Sequence, residues 1–142
     1  MADAKAMKER PGPMRFADAT QYYLPPAGIV SILHRISGIL LALFLPFLVW
    51  LFDKSLSSEI TFEEFRGAYI AGIGWVPAII VKLLTLVLMW AFLQHLFAGL
   101  RHLYMDVTHA TSKEFGRQSA LAVLAASLLL TVLLGAKLFG LY

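Results

Sequence analysis

Apolar residues fall in three long runs, separated by two short polar connections and preceded by a polar N-terminal tail. The first run predicts a helix over 27–52, opened by Pro25-Pro26, a pair suited to the first positions of a helix. At 1.5 Å per residue it would be roughly 39 Å long, more than the roughly 30 Å hydrocarbon core of a bilayer. Its apolar part begins only at Ile36. The first two turns, with Ser31, His34 and Arg35, therefore belong at the interface or against a protein cavity. Pro46 is expected to kink the helix near its far end. In the first connection Thr61-Phe62-Glu63-Glu64 fits a capping box and predicts a short surface helix over 62–71, ended by Gly72 and Gly74. Trp75 then marks the interface. A second spanning helix is expected over 77–107. Asp106 to Ala110 make the turn, and Thr111-Ser112-Lys113-Glu114, a second capping-box match, opens a third helix over 112–140. The pattern is that of an all-α integral membrane protein, three transmembrane helices in an up-down bundle.

Composition agrees. Hydrophobic residues make up 59% and charged residues 15% of the 142, against about 45–50% and about 25% in soluble domains. There is no cysteine, which excludes disulfides, thiolate metal sites and iron–sulfur clusters within this chain. Residues 1–25 are expected to form a tail and 26–142 a membrane domain. Lys5, Lys8, Arg10 and Arg15 make the tail basic, but its apolar core starts too late and runs too long for a cleaved signal peptide. Nor has it the Arg- and Ser-rich, acid-poor look of a mitochondrial transit peptide. Lys and Arg concentrate in the tail and in the second connection, with Arg101, Lys113 and Arg117, while the first connection is net acidic. By the positive-inside rule the N-terminus and second connection face the cytoplasm, and the C-terminus faces outward.

Ionisable residues inside the apolar runs carry the chemistry, because they are costly at membrane depth and usually face a bundle interior or a site. His95, Gly99, His102 and Asp106 stand at i, i+4, i+7 and i+11, on one helix face. His95 lies about 9 Å deeper than Arg101. It is either an axial haem ligand through a ring nitrogen or the partner in a helix–helix hydrogen bond. Gly99, one turn on, leaves room for something flat beside the imidazole. A carboxylate at a helix C-terminus opposes the helix dipole, so Asp106 either answers a specific partner or forms a solvated pair with His102. Arg101 taken alone reads as a positive-inside anchor, His109 as a solvated turn residue, and Lys82 and Lys137 as snorkelling residues.

Ser31, His34 and Arg35 share a face of the first helix, and Gly38 and Ala42 continue it as a small-xxx-small pattern that permits close helix approach. The planar fork of Arg35 suits a carboxylate or carbonyl oxygen, such as a haem propionate or quinone head, or else a lipid phosphate. The topology brings this cluster and the His95 cluster to the same leaflet.

Two stretches resemble a known family. Ser31-Ile32-Leu33-His34-Arg35-Ile36-Ser37-Gly38 is similar to the motif Ser-x-x-His-Arg-x-Ser/Thr-Gly of the cytochrome b membrane-anchor subunit of succinate dehydrogenase. His95 to Asp106 resembles its second motif, His-x-x-x-Gly-x-Arg-His-x-x-x-Asp, and Arg10-Pro11 resembles its N-terminal Arg-Pro, although Gly12-Pro13 replaces the usual apolar start. The resemblance implies that His95 ligates haem b, with the second axial histidine supplied by a small sister anchor subunit. It implies that Ser31 and Arg35 line the ubiquinone pocket, and that His34 and Arg35 contact the haem propionates. His102, Asp106 and Arg101 would lie near the haem or on a proton path.

The expected function is thus that of a multi-pass anchor in the inner (cytoplasmic) membrane, holding a flavoprotein subunit and an iron–sulfur subunit and helping pass electrons to ubiquinone. Succinate oxidation would belong to the partners, since this chain has neither a nucleotide motif nor a cysteine, and no nucleic-acid partner is expected. Three alternatives stand beside it. One is a fumarate reductase type anchor using a low-potential quinol; another is a haem-free structural anchor. The last is a self-contained b-type cytochrome with His34 and His95 on one haem.

Overall fold

The computed structural model describes residues 24–142; expectations for the tail, Arg10-Pro11 included, lie outside the described residues. Helix α1 runs Pro26–Leu43, with Pro25 as N-cap and Pro26 at its first position, where a missing N–H costs nothing. The single first helix expected from the sequence is in fact two. Phe44 leaves helical geometry (φ −95°, ψ 9°), and α2 restarts over Leu45–Leu56 with Pro46 in its first turn. Proline has no N–H to offer the carbonyl four residues back, and its ring crowds that carbonyl. The break therefore falls just before it.

Helix α2 also continues past Phe52 to Leu56, since Asp53, Lys54 and Ser55 carry on the turn and the Ser57 hydroxyl donates to the Asp53 carbonyl at 2.8 Å. The surface helix, α3, spans Glu59–Ile70 and starts earlier than expected. Its capping box is built by Ser58, whose hydroxyl accepts from the Thr61 N–H while the Thr61 hydroxyl accepts from the Ser58 N–H. Thr61 is thus the inner partner of the box rather than the cap. The polar connection shrinks to a few residues.

Helix α3 lies across one end of the bundle. Lys54 of α2 pairs with Glu64 at 2.6 Å, and the Tyr69 hydroxyl bonds that of Thr85 at 3.1 Å. A small antiparallel hairpin that the sequence pattern did not suggest follows, β1 Gly72–Ile73 against β2 Val76–Pro77. Gly72 has φ +104°, and a Cβ there would run into the Val76 carbonyl oxygen, so only glycine fits. The hairpin presents Trp75 at 93% exposure.

Helix α4 spans Ala78–Thr108, with Pro77 as N-cap, and ends on His109 in the left-handed conformation. Helix α5 spans Lys113–Leu138 behind the Ser112 cap, whose hydroxyl accepts from the Phe115 N–H. It stops short of residue 140 because Gly140 takes φ +77° and the Leu141 N–H turns back to the Ala136 carbonyl, a Schellman closure.

Helix α4 packs against both α1 and α5. The contacts run in opposite sequence order: Arg101 with Ser119, Gln94 with Ser127, Leu86 with Gly135, and on the other side His34 with Gly99 and Gly38 with His95. An up-down bundle requires this order. A core of Val30, Ala98, Ala120 and Val123 fills the end where α1 and α5 begin. Helices α1, α4 and α5 are each long and apolar enough to cross a membrane. Large apolar side chains such as Ile39, Leu43, Phe92 and Leu129 are exposed on their outer faces, as lipid-facing surfaces are.

Candidate functional site

Helices α1 and α4 meet through a histidine cluster. His34 lies over His95 with ring centroids 4.2 Å apart and planes inclined by 19°. The His102 ring is 5.4 Å from His34, tilted by 48°. A Cβ at Gly99 would come within 3.8 Å of His34 Nε2. Three of the four positions predicted to share one α4 face, His95, Gly99 and His102, therefore do so against a single α1 residue. Asp106, the fourth, is exposed at the helix end and makes no ion pair with His102.

The space opened by Gly99 is taken by His34. The glycine that admits His95 is instead Gly38, where a Cβ would meet His95 Cε1 at 3.0 Å and Nδ1 at 3.3 Å. Of the small-xxx-small pair only Gly38 packs in this way, since Ala42 is exposed.

His95 is held through one nitrogen. Its Nδ1 lies 3.1 Å from the His34 carbonyl oxygen and 3.3 Å from Ser37 Oγ. A carbonyl can only accept, so Nδ1 carries the hydrogen. The neutral ring then keeps its lone pair on Nε2, the nitrogen a metal would take. Among the described residues no three His, Cys, Asp or Glu side chains gather to hold a bare ion. A haem makes a smaller demand, because the porphyrin supplies the in-plane nitrogens and the protein need offer one axial imidazole. A partly buried ring with its outer N–H bound to a backbone carbonyl fits that demand.

Ser31 is half-buried and Arg35 exposed, on the shoulder of α1 beside His34. Arg101 is not a surface anchor. It is only 9% exposed, and it crosses to α5, where Nε donates to the Ser119 hydroxyl at 2.9 Å and Nη2 to the Gly116 carbonyl at 3.2 Å. Both bonds tie it to α5. His109 is exposed as expected, while Lys82 is half-buried with its ammonium 5.8 Å from the centre of the Phe139 ring.

Gln94 escaped the sequence reading altogether. It is fully buried, and its Oε1 accepts from the Ser127 hydroxyl at 2.8 Å, while Nε2 has no partner among the described residues. Only its helical spacing to Ala91, Ala98 and Arg101, buried on the same helix, marks it as inward-facing.

The sequence model of the family described as succinate dehydrogenase/fumarate reductase transmembrane subunit matches residues 8–134. The chain is 37% identical over 118 residues to the succinate dehydrogenase cytochrome b556 subunit of Coxiella burnetii, covering 83% of this chain and 90% of that protein. It is 34% identical over 113 residues to the subunit of the same name from Paracoccus denitrificans, covering 79% and 81%. The corresponding Rickettsia felis subunit is 26% identical over 113 residues, with 80% and 82% covered.

Proposed function

The chain belongs to the succinate dehydrogenase/fumarate reductase transmembrane subunit family, and from that membership we propose that it is the cytochrome b anchor of a succinate dehydrogenase. In this reading His95 provides one axial ligand to haem b, and a histidine of a small sister anchor provides the other. The haem, when bound, supplies a one-electron store beside the quinone. Ser31 and Arg35 bind ubiquinone, the hydroxyl and guanidinium donating to a quinone carbonyl oxygen. Two electrons from the iron–sulfur subunit and two protons convert that quinone to quinol. His34 and Arg35 contact the haem propionates, and His102 and Asp106 line the cytoplasmic approach. The complex sits in the cytoplasmic membrane with the N-terminus inside, and the flavoprotein subunit carries succinate oxidation.

The observation that carries this reading is the fixing of His95 by its Nδ1 alone. Among the described residues its two side-chain hydrogen bonds are both at that atom. A purely structural histidine would account for Nδ1 and leave Nε2 with no task. The stacked His34 ring turns its face, not a nitrogen, toward His95, which disfavours both rings serving one iron. The three relatives named above are succinate dehydrogenase subunits by name, which favours quinone reduction as the direction.

The test is to measure two activities in the purified complex. Ser31→Ala and Arg35→Leu should lower succinate:ubiquinone reductase activity by tenfold or more, about 1.4 kcal/mol of lost binding or transition-state interaction, while succinate oxidation by a soluble dye stays at wild-type level. Equal loss of both activities, or of neither, would remove Ser31 and Arg35 from the quinone site.

A further inference from the structure

Ser37 is fully buried, on the α1 face that meets His95. A serine inside a helix often returns its hydroxyl to a carbonyl of the preceding turn, and Ser37 does so, donating to the His34 carbonyl at 2.9 Å. That bond alone carries no function. What distinguishes Ser37 is the second contact: with its hydrogen given to His34, its oxygen stands 3.3 Å from His95 Nδ1 with lone pairs to offer. The His34 carbonyl, 3.1 Å from the same nitrogen, is already committed to its own helix and to the Ser37 hydroxyl. The Nδ1–H is therefore shared between two acceptors, one backbone and one side chain. Gly38, the next residue, clears the space that lets the ring come this close.

We propose that Ser37 is a positioning residue for the haem ligand, its hydroxyl oxygen holding the Nδ1–H of His95 and so setting how strongly Nε2 donates to iron. The inference rests on the reading of His95 as an axial ligand. Hydrogen bonds to the outer nitrogen of a ligating imidazole fix the ring and raise its basicity, and such bonds are one of the levers by which a protein sets haem potential. Removing the acceptor makes His95 a weaker donor, which favours ferrous over ferric haem.

The experiment is an optical redox titration of the haem in the purified complex with its partner subunits, comparing wild type, Ser37→Ala, Ser37→Cys, Ser37→Thr and His95→Leu. Cysteine keeps the volume and makes a poor hydrogen bond; threonine keeps the hydroxyl. The Ala and Cys variants should titrate at a higher midpoint potential than wild type, or lose haem, with Thr restoring the wild-type value. If His95→Leu loses haem and the Ala and Cys variants titrate as wild type, Ser37 has no such role although His95 is the ligand. A Thr variant displaced as far as Ala and Cys would make the effect one of packing and would also overturn the proposal. If His95→Leu keeps its haem, the ligand assignment itself fails.

Discussion

His34 and His95 stack with ring centroids 4.2 Å apart, yet it is the backbone carbonyl of His34, not its ring, that binds Nδ1 of His95. The two contributions separate by mutation. His34→Ala removes the stack and keeps the carbonyl. The expected outcome is a complex that still shows a b-type absorbance signal, with haem content at least half that of wild type. Quantifying haem against protein checks it.

Arg101 should behave as a structural residue. It is 9% exposed, and two of its N–H groups bond across to α5. Hydrogen bonds from a charged donor are worth about 1.5–3 kcal/mol. Arg101→Met should therefore destabilise the chain by about 2 kcal/mol. A lower Tm of the detergent-solubilised complex, with the haem spectrum of the surviving fraction unchanged, is the expected result.

The buried Gln94 amide makes a sharper comparison. Ser127→Ala strips Oε1 of its one donor among the described residues and leaves the buried amide without a partner there, a loss of about 1 kcal/mol. Gln94→Leu removes the unpartnered Nε2 together with the bond, and a polar pair replaced by apolar groups is often near neutral. Thermal stability of the two single variants and the double variant decides it: Ser127→Ala should be the least stable of the three.

Gly38 is fitted closely against the His95 ring. A Cβ there would lie 3.0 Å from the His95 ring, tighter than ordinary contact, and overpacking a close-fitted site costs about 1–3 kcal/mol. Gly38→Ala should lower haem content or shift its spectrum, whereas Ala42→Ser, at an exposed position of the same helix, should leave both unchanged.

Much of this arrangement is legible in the residues alone. The 3.6-residue period puts His95, Gly99 and His102 on one face, and the structure finds His34 covering all three. The period does not say which residue of the opposing helix lies over which. For that reason the spacing assigns Gly99 a space that His34 fills, and Gly38 no more than helix approach. Arg101 shows the same limit, since an arginine near a helix end reads as an interfacial anchor until α5 is seen to pass beside it. The errors in element ends have a local origin. Ser58 and Thr61 each qualify as a cap, and the choice falls to Ser58 because the chain there is extended and Thr61 can return the bond. At Pro46 the expected kink becomes a break at Phe44.

The central claim, that His95 ligates a haem, is tested most directly by the dithionite-reduced minus oxidised optical spectrum of the purified complex, wild type beside His95→Leu. A low-spin b-type signal in the wild type that is absent from the variant, with the partner subunits still bound, is the predicted result. A wild-type complex without the signal, or a variant that retains it, would contradict the claim.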